Sequence, residues 1–333
     1  MSRLAAIEAQ LCAPGAPFEL VEDEVLGERV RVFKNRARSL RDVLVRAREH
    51  ADAEYMVFVD GARERRYSFG EHETLVARAA RALADRFDVG PGDRVAILAA
   101  NCPEWVIAFW ATVSSGAICA GLNGWWTEDE IRYAVGHGAP KLVIADRKRA
   151  ARIEGELGVP LLIIEDEFED LLAAYPDAEL PSVPLAEEDP AIILYTSGTT
   201  GRAKGVVHTH GNVTNMIMVS FFHGARLMMA NPKQAELPAL PNSILVTSPL
   251  FHVSGLHCAA VTALAGGAKT VWPMGRFDPE AVLELIEREQ ITGWGYTATV
   301  LHRLIHHPSV TERDLSSFRS VGGGGSPIPA PLL

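Results

Sequence analysis

Cysteine is scarce and unclustered. Cys12, Cys102, Cys119 and Cys258 lie far apart with no C-x-x-C spacing, so neither a zinc site nor a disulfide framework is indicated. Positive charge is also short: 32 Lys and Arg face 42 Asp and Glu, a net charge of −10. That balance argues against a nucleic-acid partner or an acidic membrane surface. The N-terminus has no basic-then-apolar signal pattern, which makes a cytoplasmic address the default. Low complexity is confined to the glycines at 322–325. One strongly apolar stretch, Trp105 to Trp126, is free of charged residues over a length that could span a bilayer. Ser114-Ser115-Gly116 interrupts it, and its halves read as a helix begun at Asn101-Cys102-Pro103-Glu104 and a short buried strand, Ala117 to Leu122. No transmembrane segment is expected.

What is present fits a globular enzyme. An apolar fraction of 48% with 22% charged residues supplies a large core, and 333 residues suggest two or three domain-sized units. Helix and strand signals alternate. Ser68-Phe69-Gly70-Glu71 and Thr127-Glu128-Asp129-Glu130 are capping-box candidates, each opening a helix. Strands are expected at 94–99, 141–145, 161–164, 191–195, 243–247, 269–272 and near Gly293. Helices are expected near 147–157, from Asn212, and at 256–264, 279–289 and 299–306. Repeated β-α alternation predicts an α/β fold of mainly parallel sheets flanked by helices. The acidic, proline-bearing stretch 175–190 reads as a connection between two subdomains, 1–190 and 191–333.

The richest chemical signal follows the apolar run Ala191-Ile192-Ile193-Leu194-Tyr195. It is Thr196-Ser197-Gly198-Thr199-Thr200-Gly201-Arg202-Ala203-Lys204-Gly205. A strand, a loop of glycines and hydroxyls, then a lysine suits a phosphate cradle. Backbone N–H groups can turn onto an anion, hydroxyls add donors or reach a metal ion, and Lys204 brings a mobile positive charge. The loop is not a Walker A motif, because Ala203 and Gly205 stand where Gly and Ser/Thr are required. Nor is it a G-x-G-x-x-G dinucleotide fingerprint.

The loop resembles the signature of the adenylate-forming superfamily, typically T-S-G-T-T-G-x-P-K-G, with Ala203 in place of the usual proline. That departure should loosen the loop without removing a donor. Further similarity lies in Arg66–Phe69, Val89–Ala96, Asn101–Trp105, Leu122–Thr127, Pro249–Gly255 and Val321–Pro327, and so covers nearly the whole chain. The resemblance implies the large N-terminal domain of such an enzyme, most like a fatty acyl-CoA synthetase. Its reaction would join a carboxylic acid and ATP into an acyl-adenylate, releasing pyrophosphate, before thioester formation with coenzyme A. Residues Thr196, Ser197, Gly198, Thr199, Thr200, Gly201 and Lys204 would hold the phosphates, with Thr196 nearest Mg2+. Gly323, Gly324, Gly325, Ser326 and Pro327 would lie against adenine. Phe251, His252, Val253 and Gly255 would line the acid site, with Lys204 and His252 in catalytic roles.

His252 stands where amino-acid adenylation domains carry an aspartate, so a fatty or aryl acid is expected rather than an α-amino acid. The methionines and phenylalanines of 216–229 either line an acyl tunnel or are core. His302 and His306 share a helical face, without an evident third metal ligand. Aryl-acid ligation, acyl-AMP transfer to a carrier protein and a non-catalytic binding module stay open, as does oligomerisation. The Tyr-Gly-x-Thr-Glu motif and the C-terminal domain of the superfamily have no counterpart in these 333 residues. The chain is therefore expected to be a truncated portion with little activity alone.

Overall fold

The computed structural model describes residues 2–196, 201–231 and 237–324. Along the chain, helix α1 (Arg3–Leu11) precedes a hairpin of β1 (Leu20–Val25) and β2 (Glu28–Phe33). Then come α2 (Leu40–Arg46), β3 (Glu54–Asp60), β4 (Arg63–Ser68), α3 (Phe69–Phe87), β5 (Arg94–Leu98), α4 (Pro103–Ser114) and β6 (Ile118–Gly121). Next are α5 (Glu128–Gly138), β7 (Leu142–Ala145), α6 (Arg147–Ala150), β8 (Leu161–Ile163), α7 (Glu169–Ala173), β9 (Pro190–Thr196), β10 (Lys204–Thr209) and α8 (His210–Ala230). After β11 (Ser243–Val246), residues 253–265 form a helical segment with a π-helical centre, Leu256–Val261. It leads to β12 (Lys269–Pro273), α9 (Pro279–Arg288), β13 (Gly293–Tyr296), α10 (Ala298–Ile305) and β14 (Ser320–Gly323).

Two six-stranded sheets result, ordered β10-β9-β6-β5-β7-β8 and β14-β13-β11-β12-β3-β4. Each is parallel except for one antiparallel edge strand, β10 in the first and β4 in the second. Side-chain alternation along the strands sends each sheet's residues into two cores. Val95, Ile97, Cys119, Leu142 and Ile144 of the first sheet share one core with α2, α3 and α4 and with Tyr55, Met56, Phe58 and Trp272 of the second. Those helices are therefore the filling between the sheets. The opposite face of the first sheet, with Ala96, Leu98, Ala120 and Val143, is covered by Ile131, Ala134 and Val135 of α5. Val57, Leu245 and Val271 of the second are covered by Val282, Leu283, Leu285 and Ile286 of α9.

The charge-free stretch is resolved as expected. Every residue of α4 but Glu104 is buried, as are all four of β6. Among the described residues no helix is long and apolar enough to cross a membrane. The capping box at Ser68 is present: Glu71 N–H donates to Ser68 Oγ at 3.1 Å, and Ser68 N–H to Glu71 Oε2 at 2.7 Å. At the other site Thr127 N–H donates to Glu130 Oε2 at 2.8 Å.

Other expectations need correction. The helix expected over 147–157 stops at Ala150; Gly155 and Gly158 beyond it adopt φ of +67° and +75°, incompatible with its continuation. The sheets also cut across the division at residue 190: β3 and β4 belong with β11–β14, whereas β9 and β10 belong with β5–β8. The stretch 175–190 connects strands of one sheet, because β8 is an edge and β9 lies near the other edge. It is pinned on the way, with Val183 O accepting from Arg41 at 2.5 Å and Glu187 from the buried Arg36 at 2.6 Å.

Candidate functional site

Open parallel sheets bind ligands beyond the carboxyl ends of their strands, where the connections leave backbone groups free. Here β9 ends on Thr196 and β10 begins on Lys204, and these two are register partners across the antiparallel pair. Both are exposed, so a hydroxyl and an ammonium face each other at the mouth of the loop. Gly201 turns the chain toward β10 with φ +84°, and a Cβ built there would meet nothing within 4 Å. Ser197, Gly198, Thr199 and Thr200, assigned to the same cradle, lie outside the described residues, as do Gly325, Ser326 and Pro327.

The segment Pro249–Gly255 reaches the same place from the second sheet. A Cβ on Gly121, at the end of β6, would lie 3.3 Å from Phe251 Cα and 3.0 Å from Leu194 on β9. Phe251 is thus packed directly over the ends of β6 and β9. Its ring meets Trp125 edge-on at 5.1 Å. The turn before it is held by Asn101, whose carboxamide donates to Ser248 O at 2.9 Å and accepts Leu250 N–H at 2.9 Å. Pro249 O accepts His252 N–H at 3.1 Å, and a Cβ on Gly255 would lie 2.2 Å from that same oxygen. Only glycine fits there.

His252 is exposed and caps the following helical segment: its Nδ1 accepts Ser254 N–H at 3.3 Å. That fixes the neutral ring's proton on Nε2, leaving an N–H donor free of the backbone. Val253 is exposed beside it. Gly323 ends β14 and Gly324 follows it. Val246 pairs with Gly295 and Gly295 with Gly322, so this glycine run lies at the same sheet end as the turn to His252, two strands or roughly 10 Å across. Added Cβ atoms on Gly322 and Gly324 would meet nothing within 4 Å.

Several contacts at the site were not anticipated. Asn101 reads in the sequence as a helix start and part of a segment resembling the family, not as a residue that holds the turn before Phe251. The turn Asn123–Trp126 is fixed by Arg149 and Arg152, which donate to Gly124 O at 3.0 and 2.9 Å. Arg202 places its guanidinium over the Tyr133 ring at 5.0 Å. His208 of β10 and His257 pack ring to ring at 4.9 Å, tying β10 to the segment that follows His252. Burial, and then the charge of His208, lowers the His257 pKa to about 4. His302 and His306 stack at 4.1 Å, but no group of three or more metal-ligating side chains occurs among the described residues.

Comparison with known proteins bears on the family and the fold. The AMP-binding enzyme family model matches residues 44–333. The chain is 31% identical to 4-coumarate--CoA ligase 2 of Oryza sativa subsp. japonica, over 92% of this chain and 57% of that protein. It is 27% identical to the long-chain-fatty-acid--CoA ligase FadD13 of Mycobacterium tuberculosis (strain CDC 1551 / Oshkosh), over 87% of this chain and 56% of that one. The chain thus spans little more than half the length of these relatives. The inhibitor-bound N-terminal domain of FACL13 from Mycobacterium tuberculosis superposes with a TM-score of 0.75 at 25% identity, covering 89% of this chain and 72% of that one. With the two-sheet architecture in place and the family model matching most of its length, the chain belongs to the AMP-binding enzyme family.

Proposed function

We propose that the protein activates a carboxylic acid with ATP, forming an acyl-adenylate and pyrophosphate, and passes the acyl group to the thiol of coenzyme A. The observation that carries this reading is the convergence of the Thr196/Lys204 loop mouth and the Phe251–His252 turn on the ends of β6 and β9. Adenylation must bring two anions together, so positioning and charge neutralisation account for most of the catalysis. Lys204 would offset phosphate charge, and the remaining loop residues 197–201 would donate backbone N–H groups. Mg2+, when bound, supplies charge compensation for pyrophosphate, and the exposed Thr196 hydroxyl fits it as an oxygen ligand. The open faces of Gly322 and Gly324 leave room for a purine, and Gly323, Gly325, Ser326 and Pro327 are proposed to border it as well. His252 would present Nε2–H to the substrate carboxylate, and a histidine at this position cannot form the ion pair that a substrate ammonium would need.

The acid is proposed to have an apolar body, since Phe251, Val253 and Gly255 would border it. A medium- or long-chain fatty acid is the first reading. An aryl acid is the second, favoured by the higher identity to the 4-coumarate ligase than to the long-chain ligase. The site of action is proposed to be the cytoplasm, where ATP and coenzyme A are available.

The test is pyrophosphate and AMP release from Mg·ATP with decanoate, palmitate, 4-coumarate, benzoate or alanine, with and without coenzyme A. Release with an apolar acid but not alanine, followed by thioester formation, supports the proposal. Release without thioester points to transfer onto a carrier protein. ADP formation, or no release with any acid by a folded form extended to the full length of its relatives, overturns it.

A further inference from the structure

We infer that Arg202 and Tyr133 form a clamp on the closing limb of the phosphate loop, a restraint that stands in for the proline missing at position 203. Tyr133 is well fixed. It lies on α5 and stacks on His137 at 5.6 Å with an interplanar angle of 21°. His137 meets Tyr195 edge-on at 6.2 Å, and Tyr195 donates its hydroxyl to Ala134 O, back on α5, at 3.2 Å. Trp126 closes the group at 5.3 Å from Tyr195. Tyr195 belongs to β9, the strand that opens the loop; Arg202 belongs to the limb that closes it. Both limbs are therefore referred to one helix, which cannot shift without disturbing the sheet beneath it.

The magnitudes match. An exposed cation–π contact shifts an equilibrium by about two- to fivefold. A proline at a compatible backbone position narrows the alternative conformations by about the same factor. Ala203 supplies no such restraint of its own. With Gly201 at φ +84° immediately before Arg202, the closing limb contains a residue that favours conformational freedom, and the clamp acts next to it. Arg202 and Tyr133 are positioning residues: they set where Lys204, two positions on, enters β10. The consequence for nucleotide affinity rests on the ATP reading above; the restraint itself does not.

The experiment measures hydrogen exchange of peptides covering 201–205 without nucleotide, together with Mg·ATP affinity by calorimetry. It uses the wild type, Tyr133→Leu, Arg202→Gln, and each combined with Ala203→Pro. Both single substitutions should speed exchange about two- to fivefold and weaken Mg·ATP by a similar factor, and Ala203→Pro should reverse both effects. Arg202 is exposed, so its substitution tests the clamp even if Tyr133→Leu folds poorly. Unchanged exchange in both variants overturns the clamp. So does loss of affinity in Arg202→Gln alone, which would make Arg202 a direct phosphate contact. If no form binds Mg·ATP while exchange responds as described, the clamp stands and the nucleotide reading falls.

Discussion

His72 lies on α3 with no solvent exposure, its ring 4.8 Å from Tyr55, and neither ring nitrogen has a hydrogen-bond partner. Burial lowers its pKa from 6.5 to about 3. Burial also lowers His210 and His257 to about 4. The unfolded chain therefore binds up to three protons that the folded protein refuses. Stability from these rings is complete above about pH 6.5 and is lost as pH falls toward the depressed folded values. At pH 5 each unfolded imidazole is almost fully charged and its folded counterpart is not, a difference of about 2 kcal/mol per ring. Three rings give about 6 kcal/mol, against a total stability of about 5–15 kcal/mol for a typical domain. The window lies above the one in which Glu289 titrates: its burial cost is overridden by Arg66 and Lys269, leaving a pKa of about 2. His72→Leu should stay within about 1.5 kcal/mol of wild type at pH 7.5, as a near-isosteric core exchange. Its loss of unfolding free energy between pH 7.5 and 5, measured in urea, should shrink by about 2 kcal/mol. An unchanged loss would refute the claim that His72 is refused a proton by its packing.

Lys204→Ala removes an exposed side chain, so thermal stability should be unmoved, while Mg·ATP affinity by calorimetry should fall about tenfold through loss of a charge-assisted contact. Arg36, 1% exposed, donates to Glu187 at 2.6 and 2.7 Å and to Asp23 at 2.7 Å. Arg36→Ala should cost about 1–3 kcal/mol in urea unfolding by removing the bidentate partner of the largely buried Glu187, which keeps only Arg38 at 2.6 Å, and Arg36→Met with Glu187→Leu should recover most of it. Gly255→Ala would push a methyl to 2.2 Å from Pro249 O, a backbone atom that cannot swing aside. A loss of about 1–3 kcal/mol is expected, and an unchanged melting temperature would show that the turn is looser than its geometry indicates.

Much of this architecture is legible from local pattern. Apolar periodicity with Ser68, Pro103 and Pro279 at helix starts gives α3, α4 and α9 nearly to the residue, because caps and a first-turn proline act within a few positions. The short buried strands β6, β7 and β12 are equally plain. β3 and β4 escaped the reading, although Asp60-Gly61 between them is a hairpin signal, realised with Gly61 at φ +58°. β10 was hidden for another reason: an exposed edge strand of Lys, Gly and Val has no buried face to impose alternation. The runs Thr196–Gly205 and Pro249–Gly255 stand out in the sequence because a phosphate cradle and an acid-binding turn would each draw on contiguous residues. Asn101, Arg149 and Tyr133 do not, because each acts on backbone or side chains far away in sequence.

Sheet membership shows why order along the chain misleads here. A division at residue 190 is the natural inference from a long acidic connection, yet β3 leaves the N-terminal run to pair with β12, and β9 returns to pair with β6. Each exchange carries a piece of the site's frame from one half of the chain into the other half's sheet. As a result Lys204 is mounted on the first sheet and the turn to His252 descends from the second, with α4 and its neighbours packed between them. Asn101 spans the gap: it follows β5 of the first sheet and grips the backbone of Ser248 and Leu250 beyond β11 of the second. Relative motion of the two sheets would have to break both of those hydrogen bonds, at a net cost of about 1 kcal/mol each. The geometry between the Thr196/Lys204 mouth and the turn to His252 is thus held by a few named contacts across the layers, and Asn101, from one of the segments that resemble the family, makes two of them.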